Sequence, residues 1–203
     1  MRRVFTVIVP AVLAIAATAN AQPVGPVFVA PFTNAGGLGS ARYLSPCRTI
    51  ASPVVALAPS PAAGALDSSD GIASRSCRSA SQSTTHFWKL GDVPEALVGK
   101  AGTIRVLVHI DSVTFKGAGT GVRAASIALT IAGHTWTLAQ TQCAATCTHR
   151  ALAIGDQTLE TAVSSLPATL RATISTTASL RNARGSVGAE LRGSLRSVGV
   201  TPA

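Results

Sequence analysis

The stretch ATLRATISTTASLR at 168–181 constrains the fold more than any other part of the chain. Leu170, Ala172, Ile174, Ala178 and Leu180 alternate with Thr169, Arg171, Thr173, Ser175, Thr177 and Ser179. Successive side chains of a strand point to opposite faces, so a period of two describes a half-buried β-strand. Fourteen residues of strand cover about 47 Å. That length leads us to expect a bulge or break near Thr176–Thr177. The turn-prone NARGS follows at 182–186, and VGAELRGSLRSV at 187–198 alternates again. Val187, Ala189, Leu191 and Leu195 share one face there; Glu190, Arg192, Ser194 and Arg196 share the other. The two segments read as a hairpin with its arginines toward solvent.

The same period recurs upstream. In TIRVLVHIDSVTF (103–115), Ile104, Val106, Val108 and Ile110 form one face, and Val113 and Phe115 take the opposite parity. Such a switch marks a bulge near Asp111–Ser112. ASIALTIAGHTWTLAQ (125–140) reads as two strands turning at Gly133–His134, with Trp136 and Leu138 inward. RALAIGDQTLETAV (150–163) offers a strand, a Gly155–Asp156 turn and a short helix. In THFWKL, Phe87 and Trp88 have opposite parity, so one of them faces outward. No segment sustains helical periodicity. The expected class is therefore all-β, an antiparallel β-sandwich of the jelly-roll kind over residues 65–200.

Residues 22–64 differ in composition. Prolines at 23, 26, 31, 46, 53, 59 and 61 leave room only for edge strands such as Val27–Val29 and Pro53–Leu57. We read this part as an arm laid on the domain, ending in the linker-like APSPAAGA. The first 21 residues have the form of a secretory signal peptide. Arg2 and Arg3 precede an apolar run from Val4 to Ala17, and Ala19-Asn20-Ala21 supplies the small residues before a cut between Ala21 and Gln22. The run is shorter than the roughly 20 residues of a membrane span, and Pro10 interrupts it. The chain is thus expected to be secreted, periplasmic or extracellular, with no transmembrane segment after signal removal.

Export decides how the cysteines are read. Outside the reducing cytoplasm, Cys47, Cys77, Cys143 and Cys147 are most simply two disulfides. Three connectivities exist, and pairing nearest neighbours gives Cys47–Cys77 and Cys143–Cys147. Loop closure makes the first worth about 3.7 kcal/mol and the second about 2 kcal/mol. CAATCTH (143–149) lacks the second Cys/His cluster that zinc requires, and the Cys-x-x-Cys spacing of a redox pair. It reads as a stapled turn with His149 exposed beside it.

The whole chain carries 17 basic and 8 acidic residues; without Arg2 and Arg3 the balance is 15 to 8. A basic exported protein can meet anionic glycans, lipid headgroups or nucleic acid. The arginines are not interleaved with aromatics, which speaks against a nucleic-acid platform.

DSSDGIASRS (67–76), then THFWKLGDVPEALVGKAGTIRVLVHID and the closing long strands, resembles galactose-binding, discoidin-like jelly-roll modules of surface and phage-tail proteins. The resemblance covers about residues 64–200. It implies a sandwich whose loops bind carbohydrate, with a structural calcium near an Asp-Gly turn, where Asp67 and Asp70 are the matching positions. Only those two carboxylates stand there, against the six to eight oxygens calcium takes, so no cofactor is assigned.

Catalytic signatures are sparse. No Gly-x-Ser-x-Gly elbow or Ser-x-x-Lys occurs, and Gly-Ala-Gly-Thr-Gly at 117–121 reads as a flexible turn because no phosphate-binding helix follows it. The pairs Asp92/Glu95 and Asp156/Glu160 sit in turn-like contexts and read as solvated surface. Arg105, His109 and Asp111 share the face of their strand opposite the core and form the candidate polar patch. The expected function is a secreted, non-catalytic sandwich with a binding or structural role, attaching to a cell-surface polymer, carbohydrate or protein. The alternatives are a glycan-active hydrolase with carboxylates drawn from distant loops, and an inhibitor-like module presenting 143–150 through Thr148, His149 and Arg150.

Overall fold

The computed structural model describes residues 27–28, 33–49, 56–57 and 64–203, the first three stretches as backbone only. The signal sequence, its Ala21–Gln22 cleavage site and most of the 58–65 linker lie outside the described residues. The described residues form nine strands in chain order: β1 (Val27–Phe28), β2 (Thr33–Thr49), β3 (Ala56–Leu57), β4 (Ser68–Asp92), β5 (Gly102–Ile131), β6 (His134–Cys143), β7 (Cys147–Ala151), β8 (Gly155–Val163) and β9 (Thr169–Pro202). A 3₁₀ turn at Glu95–Leu97 connects β4 to β5.

Every pairing between these strands is antiparallel, and the order is β2-β4-β9-β5-β6-β7. β1 adds to β9, β3 to β4 and β8 to β5. β5 and β9 run alongside each other for almost their full lengths, from Gly102↔Pro202 to Ile131↔Ala172. The first part of β5 lies between β8 and the end of β9; its last part lies between β6 and the start of β9. The molecule is an antiparallel β-sandwich built largely from three long strands, and both ends of those strands contribute to one core.

The burial pattern shows how one strand serves both parts. Ile104, Val106, Val108 and Ile110 are wholly buried at even positions, whereas Ala125, Ile127, Leu129 and Ile131 are buried at odd ones. Between them the β5–β9 register slips at Ile110/Ser112 and again at Thr120/Val122. The first slip is the bulge expected at Asp111–Ser112. In β9 the buried set changes from Leu170, Ala172, Ile174, Ala178 and Leu180 to Ala183, Val187, Ala189, Leu191 and Leu195. Each large apolar side chain so enclosed contributes roughly 1.5–3 kcal/mol.

Several expectations are corrected. NARGS does not turn the chain: 169–202 is one strand, and the two segments read as a hairpin are continuous. The phase change is accomplished at Asn182, whose φ of 45° reverses parity without reversing direction. No break occurs at Thr176–Thr177, because Thr176 keeps the phase of its neighbours and is buried. Gly117–Gly121 also stays within β5. Gly119 faces Gly185 there, both at positive φ, and a Cβ on Gly119 would lie 1.9 Å from the Arg184 carbonyl oxygen. The glycines serve close backbone approach at a kink, not a turn.

Asp70–Gly71 likewise lies inside β4, opposite Ala189 and Gly188. Gly155 and Asp156 open β8, which remains a strand through Val163 where a short helix was expected. The β5–β6 turn is Ala132–Gly133, one residue earlier than expected, with φ of 49° and 80° as a two-residue primed hairpin turn requires. Trp88 is the inward member of THFWKL, and Phe87 is half-buried. Leu138 is buried as expected, whereas Trp136 is only half-buried at the core margin, with the His134 ring edge-on at 4.5 Å.

Candidate functional site

The strand period of β5 puts Arg105, Leu107 and His109 opposite its buried residues. β8 lies beside it in a register that sets Arg105 against Glu160, Leu107 against Thr158 and His109 against Asp156. Arg105 Nε donates to Glu160 Oε1. His109 Nδ1 lies 2.6 Å from Asp156 Oδ1, and Nε2 lies 3.4 Å from Asp111 Oδ1. Asp111, two residues beyond His109, falls on the same side of the strand. The structure thus gathers the three candidate patch residues on one surface and adds Asp156 and Glu160.

Position decides what this row can do. The side chain of His109 is 29% exposed, and those of Asp111, Asp156 and Glu160 are 61%, 65% and 46% exposed. Exposed ion pairs contribute only about 0–1 kcal/mol each, so the row adds little to folding. The carboxylates nevertheless keep unused acceptor lone pairs toward solvent while a neighbour fixes their orientation. The Arg105 and His109 clusters are four residues apart, about 13 Å along the strand. Such a row can hydrogen-bond a chain of hydroxyl groups. The two aspartates approach opposite nitrogens of one imidazole, so no single point is shared by all three groups. Among the described residues no cluster of three or more His, Cys, Asp or Glu is placed to hold a metal ion.

The expected calcium position looks different. Asp67 Oδ1 accepts the backbone N–H of Gly193 at 3.0 Å and so ties the entry of β4 to β9. The Asp70 side chain lies outside the described residues. Of the Asp92/Glu95 pair, Asp92 accepts from the Thr169 hydroxyl at 2.7 Å and pairs with Lys89 at 3.0 Å. The Thr169 hydrogen bond, then Lys89, hold its carboxyl below the usual aspartate range.

The stapled loop forms a second local structure. Cys143 and Cys147 are disulfide-bonded between β6 and β7. Both sulfurs pack over Gly117, where a Cβ would come within 3.0 Å of each. The His149 ring stacks on Phe115 at 4.7 Å and 16°, with Thr148, His149 and Arg150 exposed. Beneath the loop, buried Arg123 donates through Nε to the Gly121 carbonyl at 3.4 Å and through Nη2 to that of Ala144 at 3.5 Å. The backbone register sets Cys47 opposite Cys77; the side chain of Cys47 lies outside the described residues.

No protein-family model matches the sequence, and no curated protein matches it. Among solved structures, TmCBM61 in complex with β-1,4-galactotriose is similar at 12% identity, covering 76% of this chain and 90% of that one, with a TM-score of 0.24. The enzymatically active domain of bacteriophage CBA120 tailspike protein 4 is similar at 12% identity, covering 83% of this chain and 20% of that one, with a TM-score of 0.21. Likenesses this low carry no weight in assigning a site. Among the described residues, no helix is long and apolar enough to cross a membrane.

Proposed function

We propose that this chain is an exported, non-catalytic β-sandwich that binds a carbohydrate polymer outside the cytoplasm through the outer face of β5 and β8. The observation that carries this reading is the row of paired polar side chains Arg105–Glu160 and Asp111–His109–Asp156 on a sheet surface. Its members come from paired strands and not from loops, so their spacing is fixed before a ligand arrives. Preorganised polar groups hold a hydroxyl-rich ligand at a reduced ordering cost. The leader-like residues 1–21 support export, as does a Cys143–Cys147 disulfide, which persists in oxidising compartments.

The test is binding of the full chain to a panel of immobilised neutral glycans, with His109→Ala, Asp156→Asn and Glu160→Gln compared with the parent. The expected result is retention on at least one glycan, weakened several-fold by each substitution, with an unchanged circular dichroism spectrum. Retention that all three substitutions leave intact overturns the assignment of the face. Shortening of a bound glycan would replace the non-catalytic reading with that of a hydrolase.

A further inference from the structure

The cations of this protein divide into two groups. Lys89, Arg105 and Arg192 each have a carboxylate partner, in Asp92, Glu160 and Glu190. Among the described residues, Arg78, Arg181 and Arg184 are exposed and have none, as is also true of Lys100, Lys116, Arg150, Arg171 and Arg196. The difference follows from where the acids lie. All eight occur at or after Asp67, and none falls within 72–80, 113–123 or 178–187. Those three segments of β4, β5 and β9 meet at the kink, where Arg181 faces Ser79 on one side and Val122 on the other, and Arg184 faces Thr120.

The three arginines also share a face. Cys77, Leu180 and Ala183, their immediate neighbours in sequence, are buried, so Arg78, Arg181 and Arg184 point away from the core. Beside them the kink opens a crevice of about 460 Å³ lined by Ala118, Gly119, Thr120, Arg184 and Gly185. Gly119 and Gly185 let the two backbones approach closely at its wall, where a Cβ on either would meet the other strand's backbone. The crevice has no aromatic wall. A nucleobase would find no ring to stack on, and a neutral sugar would find three uncompensated charges.

We infer that this crevice and its three arginines form a binding site for the carboxylate or sulfate groups of an acidic polysaccharide. Guanidinium groups match such oxyanions with paired, charge-assisted hydrogen bonds. Arg181 and Arg184 lie three residues apart on β9, about 10 Å along the strand, and Arg78 lies on neighbouring β4, one strand spacing of about 5 Å across, an arrangement that suits repeated charges on a polymer better than one isolated ion. The site lies away from the β5–β8 row in sequence and register, and it does not depend on the function proposed for that row.

Affinity electrophoresis of the full chain through gels containing polygalacturonate, dextran sulfate or neutral dextran tests the inference. Retardation is expected with at least one acidic polymer and not with neutral dextran, and it should fall as sodium chloride rises. Whichever acidic polymer retards the chain more identifies carboxylate or sulfate as the preferred group. Replacing Arg78, Arg181 and Arg184 together by Gln should weaken retardation about tenfold or more. The same loss of charge in Lys100→Gln, Arg171→Gln and Arg196→Gln should change it far less. Replacing the three crevice arginines by Lys shows that folding survives and should restore part of the binding. Equal loss in both Gln sets overturns the site, as do equal retardation by neutral dextran and absence of retardation altogether. Double-stranded DNA binding as tightly through the same three arginines overturns the ligand class.

Discussion

Gly119→Ala should be among the most destabilising single-methyl additions in the chain, and its cost can be separated into two parts. Gly119 has a φ of 109°, and its new Cβ would lie 1.9 Å from the Arg184 carbonyl oxygen and 2.7 Å from the Gly185 Cα. Both are backbone atoms of a paired strand, so no side-chain rotation relieves the clash. Backbone strain at such a φ costs about 1–3 kcal/mol, and forcing a methyl into packed structure costs about 1–3 kcal/mol more. Gly133→Ala provides the comparison, because Gly133 has a φ of 80° but no atom within 4 Å of its added Cβ. It should bear the strain alone, about 1–2 kcal/mol. With a urea m-value near 2 kcal/mol/M, the midpoint should fall by about 2 M for Gly119→Ala and by about 0.5–1 M for Gly133→Ala. Equilibrium urea unfolding followed through the fluorescence of buried Trp88 and half-buried Trp136 reads both shifts. Equal shifts would refute the argument that the kink requires close backbone approach.

Thr176→Val should stabilise the protein by about 1 kcal/mol, because the Thr176 hydroxyl is buried and has no hydrogen-bond partner among the described residues; a thermal melt reads the gain. Replacing Cys143 and Cys147 by Ser should cost about 2 kcal/mol and loosen the loop over Gly117, seen as faster amide exchange at 144–149 than in the parent. Thr169→Val should move the Asp92 pKa up toward the ordinary aspartate value, which a carbon-detected NMR titration follows directly. A carboxylate with a depressed folded-state pKa contributes stability above its unfolded pKa, and that contribution is lost as pH falls through the folded value. The Val variant should therefore lose Asp92's contribution at a higher pH than the parent. Mass spectrometry of the exported chain should find Gln22 at its N-terminus.

Periodicity made most of the core legible. Residues assigned to the inward face of 103–110, 168–181 and 187–195 are the buried ones, since a half-buried strand has only one way to sort its side chains. Connectivity was harder to read from the same segments. NARGS and GAGTG carry turn chemistry, and glycine or asparagine at positive φ serves a hairpin and an in-strand kink equally well. Their kink role comes from each other: Gly119 and Gly185 approach because two distant segments pair. That information is nonlocal, so neither segment contains it alone.

The candidate site shows the same division, and also how part of it could have been recovered. Arg105, His109 and Asp111 lie on one short strand, so their shared face followed from parity. Gly155–Asp156 carries turn chemistry, so by sequence the Asp156 and Glu160 carboxylates read as solvated surface. Two signals in the sequence pointed elsewhere. Asp156, Thr158 and Glu160 already alternate with Gln157 and Leu159, as one face of a strand does. Arg105 and His109, two basic residue types, are four residues apart, and so are the two acids Asp156 and Glu160. Basic residues on one strand and acids on the other at equal spacing are what two neighbours need to pair both ends at once. Shifting that register by one residue would turn every partner to the other face and take the buried Val106 away from Leu159 to a polar β8 side chain. The charge spacing and the apolar period therefore select the same register, the one in which Arg105 meets Glu160 and His109 meets Asp156.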